Sequence, residues 1–179
     1  MIETENKYSI YPIDWTPGYA NEIEAVYQMM KDQEHRIFDL THYNNGTIMD
    51  IVQDTITNDT VLVVTSNSGD IMASFILENA IMFQDIITEV NLHCAIRRKY
   101  WGKESRNICN AIIEYLNENF RIKKMIAEVP QCKYGIIKLL KDMGFVHEGT
   151  LKECLLYPDK NNNPKWYDKL IYTLTRKDI

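Results

Sequence analysis

Apolar residues in the first third of the chain are spaced first as in a strand and then as in a helix. Residues 7–13 alternate enough to predict a strand, which Pro12 and Pro17-Gly18 close. Four apolar residues then recur at i, i+3, i+4 and i+7, the stripe that a helix packs on a core: Ile23, Val26, Tyr27 and Met30. FDLTHYNNGT is predicted to be a loop because of its Asn-Asn-Gly, and IMDIVQDTI a second, shorter helix.

Residues 61–96 carry β-branched runs that predict three strands. VLVVTS and IMASFIL flank the turn Asn67-Ser68-Gly69-Asp70, which is typical of a hairpin. A loose segment at 82–85 precedes IITEVNLHCAI, the longest strand candidate. Alternation places Glu89, Asn91 and His93 on one face of this strand, opposite Val90, Leu92 and Cys94.

Helical spacing returns in ICNAIIEYLNENF, where Ser105 is placed to cap the first turn. MIAEV is a short strand stopped by Pro130, and IIKLLKDM is a helix ended by Gly144. VHEGTLKECLLYP and WYDKLIYTL predict a closing hairpin around DKNNNP. The order β, α, α, β, β, β, α, β, α, β, β indicates an α+β domain around one mixed sheet. With no repeat or linker, residues 1–179 are expected to form a single domain.

Composition narrows the classes of function. A hydrophobic fraction of 45% is ordinary for a folded protein, and a net charge of -5 gives no general attraction to nucleic acid or anionic lipid. Neither a signal sequence nor an apolar run of about 18 residues is present, so we expect a cytoplasmic protein without a membrane partner. The four cysteines, at 94, 109, 132 and 154, lack the spacing of a metal site and are expected to be reduced and buried.

The stretch RRKYWGKESRN, residues 97–107, joins the longest predicted strand to a helix. The first N–H groups of a helix lack internal partners, and the helix dipole favours negative charge there. Five cations in this stretch can add charge-assisted bonds to phosphate: Arg97, Arg98, Lys99, Lys103 and Arg106. The loop therefore predicts a local anion site on an acidic chain. Nucleic-acid binding through the same patch is a weaker hypothesis because of that overall charge.

The second half, from about Glu89 to Asp178, resembles the GCN5-related N-acetyltransferase (GNAT) family. YWGKES, MIAEVP, IIKLLKDMGFVHEGTLKE and WYDKLIYTLTRKD carry the resemblance, with Gly144-Phe145 and Asp168 before LIYTLTR at expected places. It is closest to the RimJ/RimL-like branch, which acetylates ribosomal-protein N-termini and small amines. The resemblance implies a three-layer fold with a mixed, mostly antiparallel central sheet of about seven strands flanked by about four helices.

The same resemblance implies acetyl-CoA as cosubstrate and places its contacts at nine positions: Cys94, Ile96, Trp101, Gly102, Lys103, Glu104, Ser105, Arg106 and Lys133. The family's pyrophosphate loop is commonly R/Q-x-x-G-x-G/A, whereas Glu104 and Arg106 fill the later small positions here. Two alternatives stay open. Arg106 replaces the lost backbone contacts and the nucleotide binds, or Glu104 points inward and repels it.

Other family features are missing. The loop that commonly carries N-x-x-S has Lys133-Tyr134-Gly135-Ile136, and the place of a frequent tyrosine general acid is taken by Leu140. Glu89 and His93 are candidate bases for the acceptor amine, and Tyr134 is a candidate acid. Each also has a structural alternative: Glu89 as a solvated surface carboxylate, His93 as a hydrogen-bonded strand histidine, and Tyr134 as an aromatic side chain that covers an opening in the sheet. Strand N–H groups opened by a bulge are expected to polarise the carbonyl.

The leading functional hypothesis is an acyl-CoA-dependent N-acetyltransferase that moves an acetyl group from acetyl-CoA to a primary amine on a small molecule or a protein. The alternative is a catalytically inactive GNAT-fold binding or structural protein. The chain is rich in Ile, Asn, Lys and Tyr, which suggests an AT-rich coding genome. That composition and the altered loop are compatible with a phage origin. The location would then be the host cytoplasm or the virion, and the partner a virion or host protein. Edge strands of the last hairpin are compatible with a homodimer.

Overall fold

Every strand of the computed structural model, which describes residues 7–32, 47–159 and 161–176, joins one seven-stranded sheet. The elements are β1 (Tyr8–Ile13), α1 (Ala20–Asp32), α2 (Ile48–Asn58), β2 (Thr60–Ser66), β3 (Ile71–Phe83), β4 (Ile86–Ile96), α3 (Lys103–Asn119), β5 (Lys124–Pro130), α4 (Tyr134–Asp142), β6 (Val146–Pro158) and β7 (Pro164–Thr175). The strand order is β1-β2-β3-β4-β5-β7-β6. Neighbours are antiparallel except β4 and β5, which are parallel. The predicted mixed, mostly antiparallel sheet is confirmed.

Helices cover both faces of the sheet. On one face, Val26 and Met29 of α1 and Val52 of α2 pack with strand residues such as Val63. On the other, α3 and α4 cover a larger core that includes Ile112 of α3 and Met125 of β5. Burial of apolar area on both faces is the main free energy that holds the three layers together. The described helices and strands follow the predicted order, so the spacing of apolar residues was sufficient to predict the order of elements.

The expected loose segment at 82–85 is wrong. β3 continues to Phe83 and turns through Gln84 and Asp85 into β4, so the two strands form one long hairpin. The register shifts between Glu78 and Ile81, and Asn79 adopts a φ of 54°. This bulge interrupts the period-two alternation, which is why the sequence pattern did not predict that β3 continues beyond it.

Part of the predicted loop FDLTHYNNGT lies outside the described residues. Its last residue, Thr47, begins the described chain again as the N-cap of α2. The Thr47 hydroxyl accepts from the Asp50 N–H, and the Asp50 carboxylate accepts from the Thr47 N–H. This reciprocal capping box fixes the start of the second predicted helix.

The prediction of buried thiols is half wrong. All four cysteines are free, and Cys109 is buried on the core side of α3, but Cys94 and Cys154 are exposed. Cys154 lies in β6, an edge strand of the sheet, which leaves its side chain open to solvent. Cys94 lies on the part of β4 that borders an opening in the sheet described below. Separately, no helix in the described part of the chain is long and apolar enough to cross a membrane.

Candidate active site

The parallel strands β4 and β5 diverge halfway along their length. They pair only at Val90 with Met125 and at Asn91 with Ile126. Beyond these pairs, residues 92–96 of β4 pair with β3 alone, and residues 127–130 of β5 pair with β7 alone. The edge of β4 that faces β5 therefore has no ladder partner among the described strands over residues 92–96. We call this opening the β4–β5 gap.

Helix starts flank the gap at the edge of the sheet where β4 and β5 end. The loop after β4 leads into α3, and the loop after β5 leads into α4, so both helices begin at this edge. In the first loop, the Trp101 indole N–H donates to the Ile96 carbonyl at 2.9 Å, which folds the loop back on the strand. Lys133 is the N-cap of α4, and its ammonium lies 4.9 Å from the ring centroid of Tyr157.

The expected cap of α3 by Ser105 is wrong. The helix begins at Lys103 with Gly102 as N-cap, and the Ser105 hydroxyl donates to the Gly102 carbonyl at 2.7 Å. A hydroxyl three residues further into the helix turns back to the loop, so it caps no N–H. No side chain of the described residues accepts from the first N–H groups of α3. Seventeen residues of helix direct their dipole at this point, so the geometry favours an anion.

Glu104 is held against β1. Its carboxylate accepts from the Lys7 ammonium at 2.6 Å and from the Tyr8 hydroxyl at 2.6 Å, and more weakly from the Asn107 amide at 3.3 Å. The hydrogen bond from Lys7, followed by that from Tyr8, lowers the pKa of Glu104. Of the two alternatives left open by the sequence, the inward-pointing carboxylate is not the arrangement found.

Of the five loop cations, two form ion pairs within the described residues, and Arg97, Arg98 and Lys103 form none. Arg106 forms an ion pair with Asp142 of α4, and Lys99 pairs with Asp70 at 3.1 Å. Neither Arg97 nor Arg98 forms an ion pair within the described ranges. Both line a cleft of about 610 Å³ between the loop and the end of α1, together with Gln28, Met29, Asp32, Lys99 and Trp101. This cleft is the basic part of the loop surface.

The candidate bases occupy different heights on β4. His93 lies beside the gap, and its Nε2 is 2.9 Å from a carboxylate oxygen of Glu78. Glu89 lies below the gap, beside the paired part of the strands, and is 4.0 Å from the Lys124 ammonium. That ammonium makes a shorter pair, 2.9 Å, with Glu148. The structure therefore separates the two candidates, and only His93 borders the opening.

The other candidate residues are placed as follows. Tyr134 is the first residue of α4 and is 77% exposed, so its hydroxyl is accessible. Leu140 is buried in the core, which leaves no acid at the position the family often uses. Cys94 lies on the unpaired part of β4, and desolvation by the surrounding protein raises the pKa of its thiol to about 11. A thiol with that pKa is a poor nucleophile at neutral pH, so we assign Cys94 no covalent role.

Sequence reasoning missed Glu78 and Asp59. Glu78 follows six buried residues of β3 and is the first charged residue in that strand, a signal that was present in the sequence. Asp59 ends α2; burial, then the charges of Glu78 and Asp54, raise its pKa, while His93 lowers it. The two acidic groups near His93 come from β3 and from the end of α2, so the cluster is visible only in the fold.

Asp168 serves the framework of the site. It lies inside β7 and is buried, and it accepts from the Lys152 ammonium at 2.8 Å and from the Glu153 N–H at 3.0 Å. Glu153 adopts a φ of 44° where the β6 register shifts. The Asp168 carbonyl also accepts from the Gln131 N–H in the loop before α4. Asp168 thus ties the bulged strand to the loop that borders the gap.

Comparison with known proteins agrees with this architecture. Residues 20–171 match the family model described as the acetyltransferase (GNAT) domain. No curated protein is similar enough in sequence to match. Among solved structures, yncA from Salmonella typhimurium with its cofactor acetyl-CoA is 14% identical with a TM-score of 0.69, covering 97% of this chain and 96% of that one.

Two further structures have similar folds. Spermidine N-acetyltransferase from Vibrio cholerae, in complex with CoA and spermine, is 12% identical with a TM-score of 0.73, covering 94% of this chain and 95% of that one. Ribosomal-protein-S5-alanine acetyltransferase from Vibrio fischeri is 16% identical with a TM-score of 0.65, covering 96% and 94%. At these identities the likeness concerns the fold.

Proposed function

This chain belongs to the GNAT family of acetyltransferases, and we propose that it moves the acetyl group of acetyl-CoA onto a primary amine at the β4–β5 gap. The observation that carries the proposal is the divergence of β4 and β5 beside the uncapped start of α3. An unpaired strand edge can hold an extended amide-containing arm by main-chain hydrogen bonds, and free helix N–H groups can hold a diphosphate.

The residues present fit acetyl-CoA at this place. A Cβ added to Gly102 would meet no atom within 4 Å, so the loop is open above the helix start, and Glu104 is withdrawn to β1. The first N–H groups of α3 would hold the diphosphate, and Arg97 and Arg98 would add charge. The unpaired edge of residues 92–96 would hold the arm. Cys94 and Ile96 lie on this edge, and Lys133 lies across the gap.

We assign the proton transfers to His93 and Tyr134. When bound, acetyl-CoA would supply an activated acyl carbon: the amine lone pair would form the new C–N bond, and the C–S bond would then break with its electron pair leaving on the CoA sulfur. His93 borders the gap and takes the proton that the amine loses, whereas Glu89 lies below the gap and lines the approach. Tyr134 donates a proton to the departing sulfur. Main-chain N–H groups of β4 in the gap stabilise the charge on the carbonyl oxygen.

The acceptor that this surface favours is a cationic amine. Asp59, Glu78 and Glu89 give negative charge to the face of β4 that carries His93, and opposite charge concentrates a cation there. The similar fold of the spermidine enzyme solved with spermine makes polyamines the first acceptors to test. A protein N-terminus, the acceptor of the RimJ/RimL-like branch, is the second. Phage origin, a homodimer and a virion or host partner stay predictions from the sequence.

The test is an acetylation assay with the purified protein, acetyl-CoA and a set of amines: spermine, spermidine, a monoamine and a peptide with a free N-terminal alanine. Free thiol and acetylated product are measured together by absorbance and mass spectrometry. We expect amine-dependent release of CoA thiol with spermine or the peptide, and its loss in His93→Ala. Binding of acetyl-CoA without transfer to any amine would favour the inactive binding module instead.

A further inference from the structure

We propose that Glu78 is a positioning residue that fixes the tautomer and orientation of the His93 imidazole for proton removal from the acceptor amine. The inference rests on the proposed function, because it gives His93 the role of base. It concerns a residue on β3, one strand away from the unpaired edge of β4. Its evidence is the contact between the two side chains and their position in the sheet.

The contact is made across two paired strands on a single face of the sheet. His93 lies opposite Ile76, and Glu78 lies opposite Asn91, so the two side chains are diagonal neighbours. Nε2 of His93 and Oε2 of Glu78 are 2.9 Å apart, and each side chain is 41% exposed. The imidazole is thus held at one nitrogen while part of the ring remains open to solvent.

A carboxylate can only accept a hydrogen bond, so an ionised Glu78 requires a proton on Nε2 of His93. In the neutral imidazole the other nitrogen, Nδ1, then carries the free lone pair. Nδ1 is the atom that can receive the amine proton, and Glu78 offsets the positive charge that forms on the ring. An acid behind a histidine base holds serine-protease imidazoles in the same way.

Asp59 extends the acidic surroundings of this pair. It ends α2 and precedes β2, and its pKa is raised by burial and by Glu78, while His93 lowers it. The groups that face His93 therefore come from β3 and the end of α2, with Asn91 beside it on β4.

The experiment compares Glu78→Leu with Glu78→Gln in two measurements. Nitrogen NMR of the free protein reports which ring nitrogen of His93 carries the proton. We expect Nε2–H in the wild type, a mixture of tautomers in Glu78→Leu, and a largely retained Nε2–H in Glu78→Gln, whose amide oxygen still accepts. This measurement needs no substrate, so it tests the pair even if no amine is acetylated.

Kinetics then test the consequence for catalysis. We expect kcat to fall about 10- to 100-fold in Glu78→Leu, a part of the roughly 10²–10⁴-fold that a positioned base contributes, with KM for acetyl-CoA unchanged. Glu78→Gln should recover part of the loss. In a His93→Ala background, Glu78→Leu should cost nothing further, because there is no ring to position.

Asp85→Asn is the matched control. It removes a carboxylate that pairs with Arg121 at the opposite end of the same hairpin, and it should leave both kcat and the His93 tautomer unchanged. The proposal is overturned if Glu78→Leu keeps the wild-type tautomer, or if it slows transfer equally with and without His93. An inactive wild type with the expected tautomers would overturn the proposed function and leave the pairing intact.

Discussion

Two single residues, Gly102 and Glu104, decide whether the start of α3 can hold an anion. Gly102 precedes that helix with φ 95° and ψ −129°, a conformation that residues with a side chain rarely adopt. Glu104 lies in the first turn and is drawn to β1 by Lys7 and Tyr8. Both residues keep the first N–H groups of the helix uncovered: Gly102 through its backbone conformation, and Glu104 because its carboxylate points towards β1.

Substituting Gly102 should therefore affect stability and binding together. We expect Gly102→Ala to lower the free energy of unfolding by about 1–3 kcal/mol because of backbone strain, and to weaken acetyl-CoA binding as the N–H groups turn away. Chemical denaturation and calorimetric titration measure the two effects. Gly18→Ala is the control: its φ is not positive, and its Cβ would meet only Thr16 Oγ1 at 3.7 Å. Equal behaviour of the two variants would refute the role of Gly102.

Replacing Glu104 by glutamine should change stability only slightly, because Lys7 is largely exposed and its ion pair is screened by solvent. We expect the Tm to fall by a few degrees at most at neutral pH. Since the pKa of Glu104 is lowered in the folded protein, its contribution is present above the ordinary value of 4.5 and is lost as the pH falls through the folded pKa. Measured against pH, the Tm of Glu104→Gln and that of the wild type should approach each other as the pH falls below 4.5 and become equal below the folded pKa of Glu104. A gap that widens in acid would contradict this assignment.

Helices and strands were predictable where apolar spacing is regular. The stripe of α3, with Ile108, Ile112 and Leu116 buried, follows the helical period, and β5 alternates between buried and half-buried residues. The tail of β3 was lost because the bulge at Asn79 breaks the alternation. The cap at Ser105 was misplaced because helix boundaries depend on the loop's backbone, which Gly102 sets through its positive φ.

The bulge of β6 depends on one buried carboxylate. Asp168→Asn keeps the shape but loses the charge that accepts from Lys152 and from the Glu153 N–H. We expect the Tm to fall by about 3–8 °C at neutral pH, since a charge-assisted network with a backbone N–H is weakened. The hydrogen bond from Lys152, then that from Glu153, lowers the pKa of Asp168, so the loss should shrink as the pH falls below its ordinary value of 3.8.

Thermal unfolding against pH checks this prediction. Asp85→Asn serves as the control because its carboxylate pairs with exposed Arg121 and contacts no β6 bulge. It should move the Tm little at any pH. If Asp168→Asn were as mild as this control, the carboxylate would not be what holds the bulged strand.

The chain as a whole is acidic, and the anion site that we propose for it is local. The sequence predicted that a basic loop at 97–107 joins a strand to a helix, because these three segments follow one another along the chain. The cosubstrate contacts implied by the resemblance stay predictions. The β4–β5 gap was not predicted from the sequence, because its geometry depends on the pairing of β5 with β7, which lies far along the chain. Glu78 was missed for a similar reason: only the pairing of β3 with β4 brings its carboxylate next to His93.

Charge at the loop should appear in the affinity for acetyl-CoA. We expect Arg98→Ala to raise the Kd about 10-fold, since a hydrogen bond between charged groups contributes on the order of 1.5–3 kcal/mol. Added salt should reduce the difference by screening. Arg121→Ala, whose guanidinium pairs with Asp85 away from the gap, should leave the Kd unchanged. Titration calorimetry at two salt concentrations measures both, and equal effects of the two substitutions would place the phosphates elsewhere.

The most direct measurement is the Tm of the wild type with and without acetyl-CoA. Acetyl-CoA that binds the folded gap should raise the Tm by about 5–10 °C at roughly 100 times its Kd, because binding to the folded state alone adds about 2.7 kcal/mol of stability. Gly102→Ala should show a smaller rise at the same concentration. A wild-type Tm that does not move with millimolar acetyl-CoA would contradict the account, because it would mean that the opening between β4 and β5 does not bind the cosubstrate.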